Sequence, residues 1–166
     1  MIQNRLNGTG ATEEHAQLIV ESFNKLLGRE LLVATPEGGA DIPLSERLFQ
    51  LPVVVLSHGT EDDPVLNYGN AAALALWERD WDTFTSIPSR LTAEPLLREE
   101  RDRLLKQVAD QGYVDDFSGV RISSTGRRYF VRGGIVWNLI DEHGVYQGQA
   151  AAFASYEELA SKGTRQ

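Results

Sequence analysis

The sequence predicts an α+β fold: a five-stranded antiparallel sheet with helices on one face, plus an N-terminal amphipathic helix. Three observations carry this. Apolar residues recur at helical spacing near the N-terminus, a β-branched run follows Pro52, and beyond Gly112 the apolar period drops to two. Length and composition agree: 166 residues, 42% hydrophobic and 24% charged, suffice for one domain with its own core.

Each element has a local cause. Thr12 is placed to cap a helix with one apolar stripe, Ala16, Ile19, Val20, Phe23, Leu26 and Leu27, and Gly28 is placed to end it. TPEGGADIP, residues 35–43, reads as a loop at the edge of the next unit, after which Ser45 opens a short turn. LPVVVLSHG reads as a buried strand, and Asn67-Tyr68 as a short second one. Asn70 caps the compact helix AAALALW, and WDTFTSIPSRL is irregular, with short helical turns. Thr92 and Glu94 open a longer helix over 94–110, which Gly112 ends. Three strands follow, turning at Ser124-Thr125-Gly126 and Glu142-His143-Gly144. In the middle one, Tyr129, Val131, Ile135, Trp137 and Leu139 share a parity that should face the helices, leaving Phe130 and Val136 on the outer face. Gly133-Gly134 marks a bulge able to shift that register.

Charge and composition narrow the function. A net charge of -8 disfavours direct nucleic-acid binding, which needs a basic field. No apolar run is long enough for a transmembrane helix, and MIQNRLNGTGATEE lacks the pattern of a secretory signal, so a cytoplasmic location is expected and no membrane partner. Zero cysteines exclude disulfides, thiolate nucleophiles and thiolate metal sites. Thirteen of the sixteen basic residues are arginine, most of them between Arg79 and Arg132, which suits ion-pair networks or an anionic ligand.

Strand order and helix placement describe a cup-shaped sheet of the PAS kind. The blocks LPVVVLSHGTEDDPVLNYGNAAALALW, IPSRLTAEPLLREERDRLLKQV and GYVDDFSGVRISSTGRRYFVRGGIVWNLIDEHGVYQGQAAAF together resemble the MEKHLA domain, a PAS-like family, over some two thirds of the chain. The family occurs in stand-alone microbial proteins and at the C-terminus of plant class III homeodomain-leucine zipper regulators. The resemblance implies a sensory or regulatory module and brings no established ligand or catalytic residue. Three segments follow: 1–47, a tail, flanking helix and loop; 48–158, the PAS-like domain; and 159–166, a C-terminal tail.

Ser57 and His58 are adjacent on a strand and so point to opposite faces, which prevents their acting together as nucleophile and base. The three histidines form no metal-binding pair, and Asp62-Asp63-Pro64 reads as a turn whose carboxylates accept backbone N–H groups, so no metal site is expected. Haem is not expected, because the 94–110 helix carries no histidine, and a cysteine-adduct flavin is excluded. Flavin without an adduct stays open: Gln149 resembles by position the glutamine of flavin-binding PAS modules. The cofactor is otherwise unknown.

The sequence therefore predicts a non-catalytic module that binds a small polar or anionic molecule between the sheet and the 94–110 helix. Arg98, Arg101 or Arg121 would neutralise the ligand, and Asn70, Trp137, Gln149, Phe153 and His58 would shape the site. The apolar stripe of the first helix suggests a homodimer. Two alternatives stand beside this: a protein–protein interaction domain with a filled core and Phe130 and Val136 exposed, and an enzyme using His58 as a general base.

Overall fold

Thr12 opens helix α1 (Glu13–Leu27) by accepting the His15 N–H at 3.1 Å, and Gly28 closes it in the left-handed conformation. The structure, a computed structural model, describes residues 8–31, 42–93 and 98–159, apart from the side chains of Thr9, Arg98 and Arg101. Most of the loop expected over 35–43 thus lies outside the described residues. After it come α2 (Leu44–Phe49), β1 (Val54–His58), β2 (Leu66–Gly69), α3 (Ala71–Trp77) and α4 (Trp81–Phe84). A 3-10 turn, Ser89–Thr92, precedes α5 (Arg98–Gln111), and the chain finishes as β3 (Tyr113–Ile122), β4 (Arg128–Ile140), β5 (Tyr146–Phe153) and β6 (Ser155–Glu158).

The sheet is antiparallel, ordered β2-β1-β5-β4-β3, and β6 extends it by pairing with residues Tyr129 to Arg132 of β4. It has one strand more than expected. Within β3, Asp115 and Asp116 form an exposed bulge that interrupts the alternation.

Both faces of the sheet are covered. Along β1 and β5 the side chains alternate: Val55, Ala150 and Ala152 join a core with α1 and α2, whereas Val54, Leu56 and Phe153 join one with α3. α5 adds Val108 to the second side, packed against Val114 and Val136. The apolar stripe of α1 is consumed within the chain, Ile19 and Phe23 being almost wholly buried against Trp137 and Leu139. The surface that suggested a homodimer is therefore covered by the chain's own sheet.

Gly133 decides which side chains reach which face. It takes φ +61°, and the ladder between β3 and β4 slips by one residue beside it. Tyr129 and Val131 face α3, but past the bulge Trp137 and Leu139 face α1. The single parity expected along β4 is thus broken in two. Val136, expected on an exposed outer face, is buried under α5, and Phe130 is half-buried with the Arg132 guanidinium 4.7 Å over its ring.

The β3–β4 turn is fastened to the end of α3. Glu78 is the one non-glycine residue with positive φ among those described, and its carboxylate accepts from the Ser123 hydroxyl at 2.7 Å and from Thr125. The Thr125 hydrogen bond, then that of Ser123, holds the Glu78 carboxyl below its ordinary range.

Candidate ligand site between the sheet and helix α5

A cavity of about 60 Å³ lies between α5 and the concave face of the sheet. β1 and β5 supply its floor through Leu56, His58, Gln149, Ala151 and Phe153. Leu104 and Leu105 of α5 roof it, and Trp77 closes one end, its Nε1–H donating to the Thr92 carbonyl at 3.4 Å. Phe117 and Arg121 of β3 also line it, the guanidinium 4.6 Å over the Phe117 ring. Ala151 is small and leaves room there, while Gly134 lets the Phe117 ring close against β4: a Cβ at Gly134 would lie 2.9 Å from that ring.

The polar groups of the floor tie it to the roof. Gln149 donates through Nε2 to the Leu105 carbonyl at 3.2 Å and to Asn138 Oδ1 at 3.1 Å. Asn138 in turn donates to the Val108 carbonyl at 3.1 Å. These side chains thus register α5 on the sheet from inside the cavity. His58 Nδ1 lies 3.0 Å from the Gly59 carbonyl, an acceptor only, so Nδ1 carries the proton.

Four of the residues singled out in the sequence therefore meet at this cavity: His58, Arg121, Gln149 and Phe153. Two stand elsewhere. Asn70 is fully buried and uses all four hydrogen-bonding positions of its amide, on Val55 N, Ala73 N, Leu48 O and Val53 O. It joins β1 to α3 as architecture. Trp137 lies on the far side of the sheet, donating to the Ile19 carbonyl at 3.2 Å and meeting Phe23 edge-on, because the Gly133 bulge reverses its direction. Arg98 and Arg101 belong to α5 by backbone, and their side chains lie outside the described residues. Sequence reasoning missed Trp77, Leu105 and Phe117; the paired small residues Gly119 and Gly134, which both border the Phe117 ring, were the available signal.

The serine and histidine of β1 do part to opposite faces. Ser57 turns toward α1, where His15 Nε2 lies 2.9 Å from its hydroxyl and Asn67 Oδ1 accepts from it at 2.5 Å. With the Ser57 proton given to Asn67, His15 must donate. The pair has the spacing of a nucleophile and its base, yet both members are sealed, at 2% and 4% exposure. Burial lowers the His15 pKa to about 4, which removes its basicity at neutral pH. In the acidic turn, Glu61 accepts the Val65 N–H at 3.1 Å, while Asp63 pairs with Arg90 at 3.1 Å. The carboxylate–backbone bond of this turn is therefore made by Glu61, in place of the Asp62 and Asp63 expected to make it.

Phe117, Arg121 and Leu104 also border a second, open cleft of about 350 Å³ between α5 and β3, with Glu100, Arg103 and Gln107 on its helical wall. Among the described residues no helix is long and apolar enough to cross a membrane.

Solved structures of the same shape are PAS and Light-Oxygen-Voltage domains. The PAS domain of a protein from Colwellia psychrerythraea matches 69% of this chain and 92% of its own, at 9% identity and a TM-score of 0.59. An RNA-binding Light-Oxygen-Voltage receptor matches over 72% of this chain and 33% of its own, at 15% identity and a TM-score of 0.56. A Light-Oxygen-Voltage domain studied with a flavin analogue matches over 74% and 89%, at 13% identity and a TM-score of 0.54. At these identities the likeness is one of fold, and the fold is PAS-like. No curated protein matches the sequence. The family model for the MEKHLA domain spans residues 13–158, from the first residue of α1 to the last of β6, and the chain belongs to that family.

Proposed function

We propose that this chain is a non-catalytic sensory module in which a small molecule occupies the cavity beneath α5 and alters how that helix sits on the sheet. One observation carries the reading. The side chain that floors the cavity, Gln149, is also the one that holds the Leu105 carbonyl, so an occupant competing for its amide would loosen α5 directly. A cytoplasmic location belongs to the same reading, supported by a cysteine-free chain.

Size limits the occupant. An apolar cavity of roughly 150 Å³ accepts benzene, and this one, at about 60 Å³, is less than half as large. A three-ring flavin does not fit within these walls. The test is native mass spectrometry of freshly purified protein against its denatured mass, repeated on Ala151→Phe. A co-purifying molecule lost from the variant supports the reading. A molecule retained by a folded Ala151→Phe protein places the ligand elsewhere and overturns it.

A second reading is favoured by the β4–β5 hairpin tip, where Ile140, Val145 and Tyr146 are 38%, 52% and 42% exposed. On it the tip is a protein-contact surface, with a second copy of the chain as its simplest occupant. Light scattering at rising concentration, on wild type and Tyr146→Arg, decides: a constant monomer mass in both removes the homodimer.

A further inference from the structure

The cavity and the open cleft meet at three side chains, Leu104, Phe117 and Arg121. Their chemistry differs sharply. Leucine, valine, alanine and aromatic side chains dominate the cavity wall, and the polar Gln149 already gives its amide protons to Leu105 and Asn138. The cleft is open to solvent, and among the described residues its wall carries Arg103, Arg121 and Glu100, Arg121 also donating to the Val120 carbonyl at 3.0 Å. An ion fully inside the cavity would lose its hydration with little in return, whereas an apolar group gains by entering. An ion left at the mouth keeps water on one side and a guanidinium on the other.

Resting on the sensory reading above, we propose that the ligand is a small amphipathic anion, its short apolar end in the cavity and its charged group in the cleft beside Arg121 and Arg103. The Arg121–Phe117 stack is the threshold between the two compartments. Phe117 bounds the cavity while Arg121 selects the charge, so the stack must part or swing for the apolar end to pass.

Butyrate, 1-butanol and butylammonium each carry four carbons in an unbranched chain and differ in charge, so they serve as probes. The readouts are the NMR shifts of the Ala151 methyl and the Gln149 side-chain amide on the full chain. Butyrate should bind at least tenfold more tightly than 1-butanol, with butylammonium weakest. Arg121→Gln should bring butyrate to within twofold of 1-butanol, and Arg121→Lys should restore part of the preference. Equal binding of butyrate and 1-butanol to wild type, or a preference that survives Arg121→Gln, overturns the proposal and leaves the cavity reading standing. The cysteine-free chain permits a separate control, the reaction of Ala151→Cys with methyl methanethiosulfonate. No response to any probe with a reactive thiol overturns the anion proposal alone. No response with an unreactive thiol shows a cavity closed to small molecules and overturns both.

Discussion

The two faces of one sheet have opposite characters. Toward α1 the side chains close on one another: Trp137 is fully buried with its N–H satisfied, Phe23 meets it edge-on, and Ser57, His15 and Asn67 form a polar chain. Toward α5 the same strands leave a void, and a polar ladder through Asn138 and Gln149 holds the helix. Successive residues of β5 belong to different faces, so neighbours in sequence live under different rules. The lesson is a division between the faces: the α1 face is held by apolar burial, and the α5 face leaves space beside a polar ladder.

Breaking the α1 face should cost most. Trp137→Ala empties a large buried volume there and removes the indole bond to the Ile19 carbonyl, and we expect a loss of about 4 kcal/mol in denaturant unfolding. A loss under 1 kcal/mol would show that α1 is not seated on the sheet as described.

The same face should respond to acid. Folding holds His15 at about 4 against an ordinary value of 6.5. Above pH 6.5 the residue is neutral in both states and stability is at its full value. As pH falls from 6.5 toward 4, the unfolded chain takes up a proton that the folded chain refuses, and up to about 3 kcal/mol is lost. Glu78, Asp80 and Asp141, all held below their ordinary range, act in the same direction at lower pH. The comparison of wild type with His15→Gln subtracts them. The difference between the two unfolding curves should vanish below pH 4 as a slope and be steepest between 4 and 6.5. A parallel pair of curves across that window would place His15 in water.

Much of this contrast could be read from the sequence, and the unread part has physical causes. α1 announced itself through a helical stripe bounded by Thr12 and Gly28, both of which cap as expected. β1 followed from its β-branched run, and Asn70 from its place before AAALALW, though its four hydrogen bonds were not foreseeable. β6 has no apolar alternation at all, since all four residues of SYEE are exposed, and it exists by pairing with β4. The Gly133 bulge was visible as a glycine pair, but only its φ determines that Trp137 turns away from α5. His15 meets Ser57 across 42 residues, a separation no local pattern encodes. A cavity is harder still, being defined by what neighbours fail to fill. QAAAF shows small residues, and strand alternation sets Ala151 on one face with Gln149 and Phe153, but only the structure shows that space is left beside it.

That last point gives the sharpest test with the smallest effects. Ala151 and Ala152 are adjacent on β5, equally small, and point to opposite faces. Ala152→Leu forces three extra carbons into the filled α1 side, at an expected cost of about 2 kcal/mol. Ala151→Val adds two carbons toward a cavity of about 60 Å³ and brings a β-branched side chain to a strand, so a gain of about 1 kcal/mol is expected. Denaturant midpoints of the two variants should move in opposite directions from wild type. If both fall, the α5 side is packed as tightly as the α1 side, and the space assigned to a ligand is not there. If the midpoint of Ala151→Val rises while probe binding is lost, stability and ligand compete for the same volume. The alanine is then retained for the occupant and not for the fold.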